Sequence, residues 1–415
     1  MTSYSSSTRH SWLQYRLIEG VEDLGRYCPG GYYPLQIGNQ LHDGRYQVVD
    51  KLGFREYSTI WLARDLQKAK YVAVKVITAE GSSSTRPPAP GREIIPPLLD
   101  DFWVLGPNGK HKCIVTLAAR MSLFDTKEAS TFGLLQPRVA QSIIAQLLRG
   151  VAFLHNLHLG NILVDFPEAI DHLSTSELYE RYGEPEPEDV ARVDGKPLQH
   201  GVPARGFLRC WLGVRSNELV LGEDRVTLSD FGFSSKTLPF LQIPEAKFSD
   251  APLSFASDIW TLACTIWEIA GQRPLFDSFW PTADRVTAEQ VEALGILPPD
   301  WWEKWAERSK WFEGESASEL KPAQSRGYGT VLRTWNQRFE YSIQKPRAEA
   351  GLEIMSEQER IAFKAMLRSM LIFRPEERAT AQEALCSDWM KGWGQPALEQ
   401  SWNASKSSTK EAQEV

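Results

Sequence analysis

No run of about 18 apolar residues, the length a membrane-crossing helix requires, occurs in the 415-residue chain. Cysteine is scarce: Cys28, Cys113, Cys210, Cys264 and Cys386 are odd in number and include no C-x-x-C pair. That scatter suggests neither a zinc site nor a disulfide framework and suits a reducing compartment. The first residues, MTSYSSSTRHSWLQY, carry no apolar signal-peptide core. A cytoplasmic or nuclear protein without a membrane partner is expected. Basic excess is missing too: 46 Lys and Arg stand against 53 Asp and Glu, a net charge of −7. No direct nucleic-acid partner is therefore expected. What is present is a globular composition, 42% hydrophobic and 24% charged, in a chain long enough for one two-lobed domain or two ordinary ones.

Residues 1–40 are rich in Ser, Gly and Tyr and read as an N-terminal arm, with YCPGGYYPLQIG ordered but irregular. From Arg45 the pattern turns to short β-branched or alternating runs, RYQVVDKLG, STIWLARD and YVAVKVI, joined by polar turns. These predict an antiparallel sheet. The prolines of GSSSTRPPAPGR (81–92) rule out a helix there. IIPPLLDDFWVLG and HKCIVTLA, around the turn PNGK, predict two further strands. Beyond residue 136 the period lengthens. Val139, Ile143, Ile144, Leu147, Val151 and Leu154 recur at helical spacing, and SFASDIWTLACTIWEIAG is apolar nearly all round, the mark of a buried helix.

The expected fold is α+β, a small antiparallel β lobe followed by a large, mainly helical lobe. Its expected parts are the arm 1–40, a small lobe 41–118, a large lobe 119–395 with an inserted spacer at about 166–222, and a disordered tail 396–415. The Trp-rich stretch DWWEKWAERSKWF (300–312) fits core better than an exposed docking helix. The acidic run Glu184, Glu186, Glu188 and Asp189 reads first as a solvated surface and second as a meeting point for arginines.

Three stretches carry chemistry. LGFREYSTIWLARD (52–65) followed by YVAVKV (71–76) sets a glycine turn ahead of a lysine on the third strand. VTLSDFGFSS puts Asp-Phe-Gly after an apolar strand, and HLGNILVDF puts an asparagine before one. Phosphoryl transfer needs such parts: a turn over the phosphates, a cation and oxygen ligands for a metal. The plainer readings are a surface lysine on an edge strand and a turn asparagine capping the chain into a strand.

Together with YCPGGYYPLQIG, GPNGKHKCIV and PLSFASDIW, these stretches resemble the SR-protein kinase branch of the serine/threonine protein kinases, in a fungal-looking form. The resemblance covers about residues 25–395, and the YCPGGY arm is its most discriminating piece. It implies a two-lobed protein-kinase fold, ATP as co-substrate and Mg²⁺ as cofactor. The protein substrate it implies is an Arg/Ser-rich protein of RNA processing. It assigns Gly53 and Lys75 to the nucleotide and Asn161 and Asp230 to the metal. By the same resemblance Asp258 braces the catalytic loop, and Glu245, at the end of the activation segment, pairs with Arg378.

Four departures from the family pattern bear on activity. Five residues before Asn161, where the family has its base aspartate, stands Asn156, and Asn cannot accept a proton. Arg55 occupies the usual place of a second glycine in the turn. Between Lys75 and Phe102 no plausible helix offers a glutamate, and neither Glu80 nor Glu93 is assigned as partner of Lys75. Asp230 to Glu245 is short for an activation segment. Three of these are losses of blocks, which suggests a shortened version of a functional kinase. The alternatives are a pseudokinase that binds nucleotide or scaffolds partners, and a non-enzymatic interaction protein.

Overall fold

Alternation in the first hundred residues sets the architecture. The computed structural model describes residues 14–82, 96–150, 157–167, 170–229, 243–250, 252–276, 282–313, 321–322 and 333–411. Strands β1 (Tyr46–Arg55), β2 (Ser58–Asp65), β3 (Lys70–Ile77), β4 (Asp100–Gly106) and β5 (Gly109–Leu117) join the two-residue strand Gln40–Leu41 in one antiparallel sheet. Its order is Gln40–Leu41, β1, β2, β3, β5, β4. Trp61 pairs with Val74 and Val74 with Val115, so period-two alternation sends these side chains to one face. There they form a buried core with Val48, Val72, Val76 and Cys113.

That face is covered from two distant parts of the chain. The arm supplies Leu35 and, half-buried, Tyr33 and Ile37; the segment expected as a spacer supplies Phe207. The Phe207 ring stands edge-on to Trp61 at 6.2 Å. Backbone and side-chain hydrogen bonds fix the segment to the sheet. Tyr71 N donates to Asp171 Oδ1 at 2.8 Å, Tyr179 Oη to the Val49 carbonyl at 2.7 Å, and Cys210 N to the Lys51 carbonyl at 2.7 Å. The described residues fall into two compact units, one within Met1–Pro90, Ile95–Met121 and Glu168–Gly213, the other within Gly91–Ile94, Ser122–Pro167 and Val214–Val415. The expectation of a spacer inserted in the large lobe is thus corrected. Most of it belongs to the strand unit, because its apolar residues Phe207, Val190, Leu198 and Val202 pack on the sheet and the arm.

The helical unit is built round α1 (Pro137–Gly150) and α2 (Phe255–Ala270), with α3 (Glu357–Met370) and α4 (Gln395–Glu411) following. Ser254 caps α2 in a reciprocal capping box with Ser257, and Trp260 and Trp267 are fully buried along it. In the Trp-rich stretch, Trp301 and Trp305 are buried, and Trp305 Nε1 donates to Asp284 Oδ1 at 2.8 Å. The exposed-docking-helix alternative for 300–312 is not what these residues form. Glu184, Glu186, Glu188 and Asp189 are all exposed.

A second correction concerns the tail. Residues 395–411 are helical, and Ala397 and Leu398 are wholly buried. The Arg149 guanidinium of α1 lies 5.2 Å from the Trp402 ring, and Ser401 Oγ hydrogen-bonds Asp224. The polar composition describes the outer side of this helix, while two adjacent apolar residues anchor its inner side. Among the described residues, no helix is long and apolar enough to cross a membrane.

Candidate active site

The strand unit carries the lysine and the glycine turn. A two-residue connection, Glu56-Tyr57, links β1 to β2, with Arg55 opposite Ser58. So short a turn fixes the register. Gly53 faces Ile60, Ile60 faces Lys75, and Lys75 faces Ile114. Gly53 and Lys75 therefore lie in one cross-strand row, in alternation with the Trp61–Val74–Val115 row on the packed face. Gly53 has φ of +154°, a backbone state that strains any side-chain-bearing residue, and a register shift falls between Lys51 and Gly53. Lys75 is half-buried between buried Val74 and Val76 on a central strand, not on an edge.

The residue after Lys75 that the sequence left unassigned, Glu80, sits exposed on the four-residue turn Ala79–Ser82. Glu93 lies outside the described residues. Just before Gly53, Lys51 is wholly buried and ion-paired with Glu22 of the arm, which also accepts from the Tyr27 hydroxyl. Burial pushes the Lys51 ammonium below its usual range while Glu22 opposes the shift. Asp50 beside it is 1% exposed, and burial lifts its carboxyl to about 6, against the Lys51 backbone N–H at 2.7 Å.

The helical unit carries Asn161. His158 caps the turn Leu159–Asn161, its Nδ1 accepting from Gly160 N at 3.1 Å. This cap was not read from the sequence, although LHLGN contains it. Asn161 then feeds β6 (Ile162–Val164), which pairs antiparallel with β7 (Val226–Leu228). Beyond the end of β7, Ser229 N donates to the Asn161 carbonyl at 2.8 Å and Ser229 Oγ reaches it at 3.3 Å. Asn161 is buried, and the last described residue before Asp230 is bonded to its backbone. Asp230 and Asn156 lie outside the described residues, as do 83–95, 151–156 and 230–242, where the sequence departs most from the family.

Asp258 is buried in the first turn of α2, where a carboxylate suits the helix N-terminus. Glu245 and Arg378 meet in a two-pronged ion pair, NH1 to Oε1 at 2.7 Å and NH2 to Oε2 at 2.6 Å. The remaining Arg378 donors go to the carbonyls of Ile372, Ala256 and Phe373. All five guanidinium N–H groups are thus used, the condition under which a buried ion pair is tolerated.

An amide oxygen and a carboxylate are hard donors of the type Mg²⁺ takes, and the chain supplies them at Asn161 and Asp230. A lysine in the row of a glycine turn is the cation a polyphosphate needs.

No family model matches the chain. A serine/threonine protein kinase of Aspergillus fumigatus is 26% identical over 391 residues, spanning 89% of this chain and 90% of that protein. The serine/threonine-protein kinase SRPK of Physarum polycephalum is 25% identical over 417 residues, 90% of this chain and 91% of that one. SRSF protein kinase 3 of Mus musculus is 36% identical over 163 residues, 34% of this chain and 29% of its own length. A crystal structure of a kinase domain superposes with a TM-score of 0.55 at 17% identity, covering 86% of this chain and 98% of that one.

The fold is that of the protein kinases. Over about nine tenths of its length the chain is similar to serine/threonine protein kinases, one of them an SRPK, and over a third of it to an SRSF protein kinase.

Proposed function

We propose that the chain binds Mg²⁺·ATP and passes the γ-phosphate to serines of Arg/Ser-rich proteins of RNA processing. In this reading Lys75 neutralises the phosphates beneath the 53–58 turn, and Asn161 and Asp230 hold the metal that neutralises them further. The carrying observation is the cross-strand row that sets Gly53 and Lys75 two strands apart on the same face. The substrate class rests on the names of the relatives, one of which is an SRSF protein kinase. Asn156 cannot take the serine proton, so turnover without that base runs slower by about 10²–10⁴.

The test couples binding to transfer. Mg²⁺·ATP should raise the melting temperature of the full chain, and Lys75→Met should abolish that rise. Phosphate incorporation into an Arg-Ser repeat peptide should be slow and should increase in Asn156→Asp. An unchanged nucleotide-induced shift in Lys75→Met would sink the assignment of the site. Stabilisation by nucleotide with no incorporation in either chain would leave a nucleotide-binding protein and remove the enzyme.

A further inference from the structure

The most discriminating stretch of the sequence, YCPGGYY, has no part in the chemistry above, yet the hydroxyl of its Tyr32 is aimed at the 53–58 turn. The Tyr32 hydroxyl lies 2.9 Å from the carbonyl oxygen of Arg55, the last residue of β1, and 3.0 Å from that of Glu56, the first of the turn's two tip residues. Arg26, at the end of the short helical turn Leu24–Arg26, donates through NH1 to the same Glu56 carbonyl. Its guanidinium lies 5.0 Å from the Tyr32 ring and 5.4 Å from the Tyr57 ring. Covering the sheet would ask none of this, since Leu35 already does that.

The two glycines secure the other end. Gly30 N donates to the Asn108 carbonyl at 2.8 Å. The Gly31 and Gly30 carbonyls accept from Ala79 N at 3.1 Å and Glu80 N at 2.9 Å, so they cap the turn that follows the Lys75 strand. A Cβ on Gly31 would lie 1.7 Å from the Arg26 carbonyl, so the close approach that brings Arg26 and Tyr32 together needs glycine there. Thr78 N in turn donates to the Tyr57 carbonyl at 2.9 Å. One short segment therefore ties the tip of the glycine turn to the end of the lysine strand. Upstream, the buried Glu22–Lys51 pair fastens the same arm to β1 two residues before Gly53.

We infer that Arg26 and Tyr32 are positioning residues for the nucleotide's polyphosphate: they anchor the 53–58 turn at the height over Lys75 that phosphate binding requires. This rests on the nucleotide reading above. A hairpin tip held only by its own ladder opens readily, so an external anchor steadies it. Burial lifts the Tyr32 hydroxyl to about 12, against the nearby Arg26 charge, which keeps it protonated and able to donate at neutral pH.

Tyr32→Phe removes the hydroxyl and keeps the ring; Arg26→Ala removes the guanidinium and leaves the hydroxyl. In the full chain each should weaken Mg²⁺·ATP binding by about two- to tenfold, the loss of one hydrogen bond, with adenosine binding nearly unchanged. In the nucleotide-free protein each should speed amide hydrogen exchange at residues 54–58 by a similar factor. Equal weakening of ATP and adenosine would reduce the arm to a general support and overturn the inference, as would unchanged exchange at the turn. Failure of the unsubstituted protein to bind either compound would overturn the nucleotide reading and the positioning role. Faster exchange in the variants would then still identify the arm as the anchor of the turn.

Discussion

Asp50 shows how much one side chain can reveal about the strand unit. It is a carboxylate 1% exposed beside a buried lysine that is already paired with Glu22, and burial lifts it to about 6. A carboxyl whose folded value exceeds its unfolded one, near 3.9, stabilises the fold when protonated. Its contribution is complete below about 4 and is lost as the pH rises through about 6. Asp50→Asn, which keeps an oxygen to accept the Lys51 N–H, should therefore melt higher than the parent at pH 7. The gap should close as the pH falls from 6 towards 4. A gap independent of pH would mean Asp50 is not titrating in the fold. Arg378 makes the contrasting case: its charge is buried as deeply, yet every donor is used and Glu245 neutralises it.

At the scale of elements, the strands were readable because each is a short β-branched or alternating run closed by a polar turn. The two-residue Glu56-Tyr57 connection fixes the register that sets Gly53 and Lys75 in one cross-strand row, a placement the sequence reading did not make. The bond from Ser229 to Asn161 could not be read, since nothing in either residue announces a partner so far along the chain. Helix α4 was misread for a different reason: Ala397 and Leu398 are too few to give a period, and their burial depends on α1. Ending the chain at Gly394 should therefore destabilise the helical unit by about 2 kcal/mol or more, the value of burying a leucine. Chemical denaturation measures this, and a neutral truncation would restore the disordered tail.

Over the whole molecule, the strand unit is assembled from three separated stretches, and the third was expected elsewhere. Sequence periodicity identifies which side chains must be buried but not which surface buries them, so Phe207 carried no sign that Trp61 was its partner. Phe207→Ala should cost the strand unit about 3–5 kcal/mol, the usual price of emptying an aromatic site. Faster amide exchange in β2 and β3, with α2 unaffected, would be its signature. Equal effects on both, or none, would contradict the assignment of this segment to the sheet.

The discontinuity also has a consequence for synthesis. A growing chain leaves the ribosome from its N-terminus, so the sheet's five long strands are all out once residue 117 has emerged. Their apolar face then waits for Phe207, while α1 and β6 emerge in between. Through that interval a nascent sheet carries an uncovered patch containing Trp61, the kind of surface that recruits chaperones or seeds aggregation. Translation speed between residues 118 and 207 thus becomes a determinant of yield.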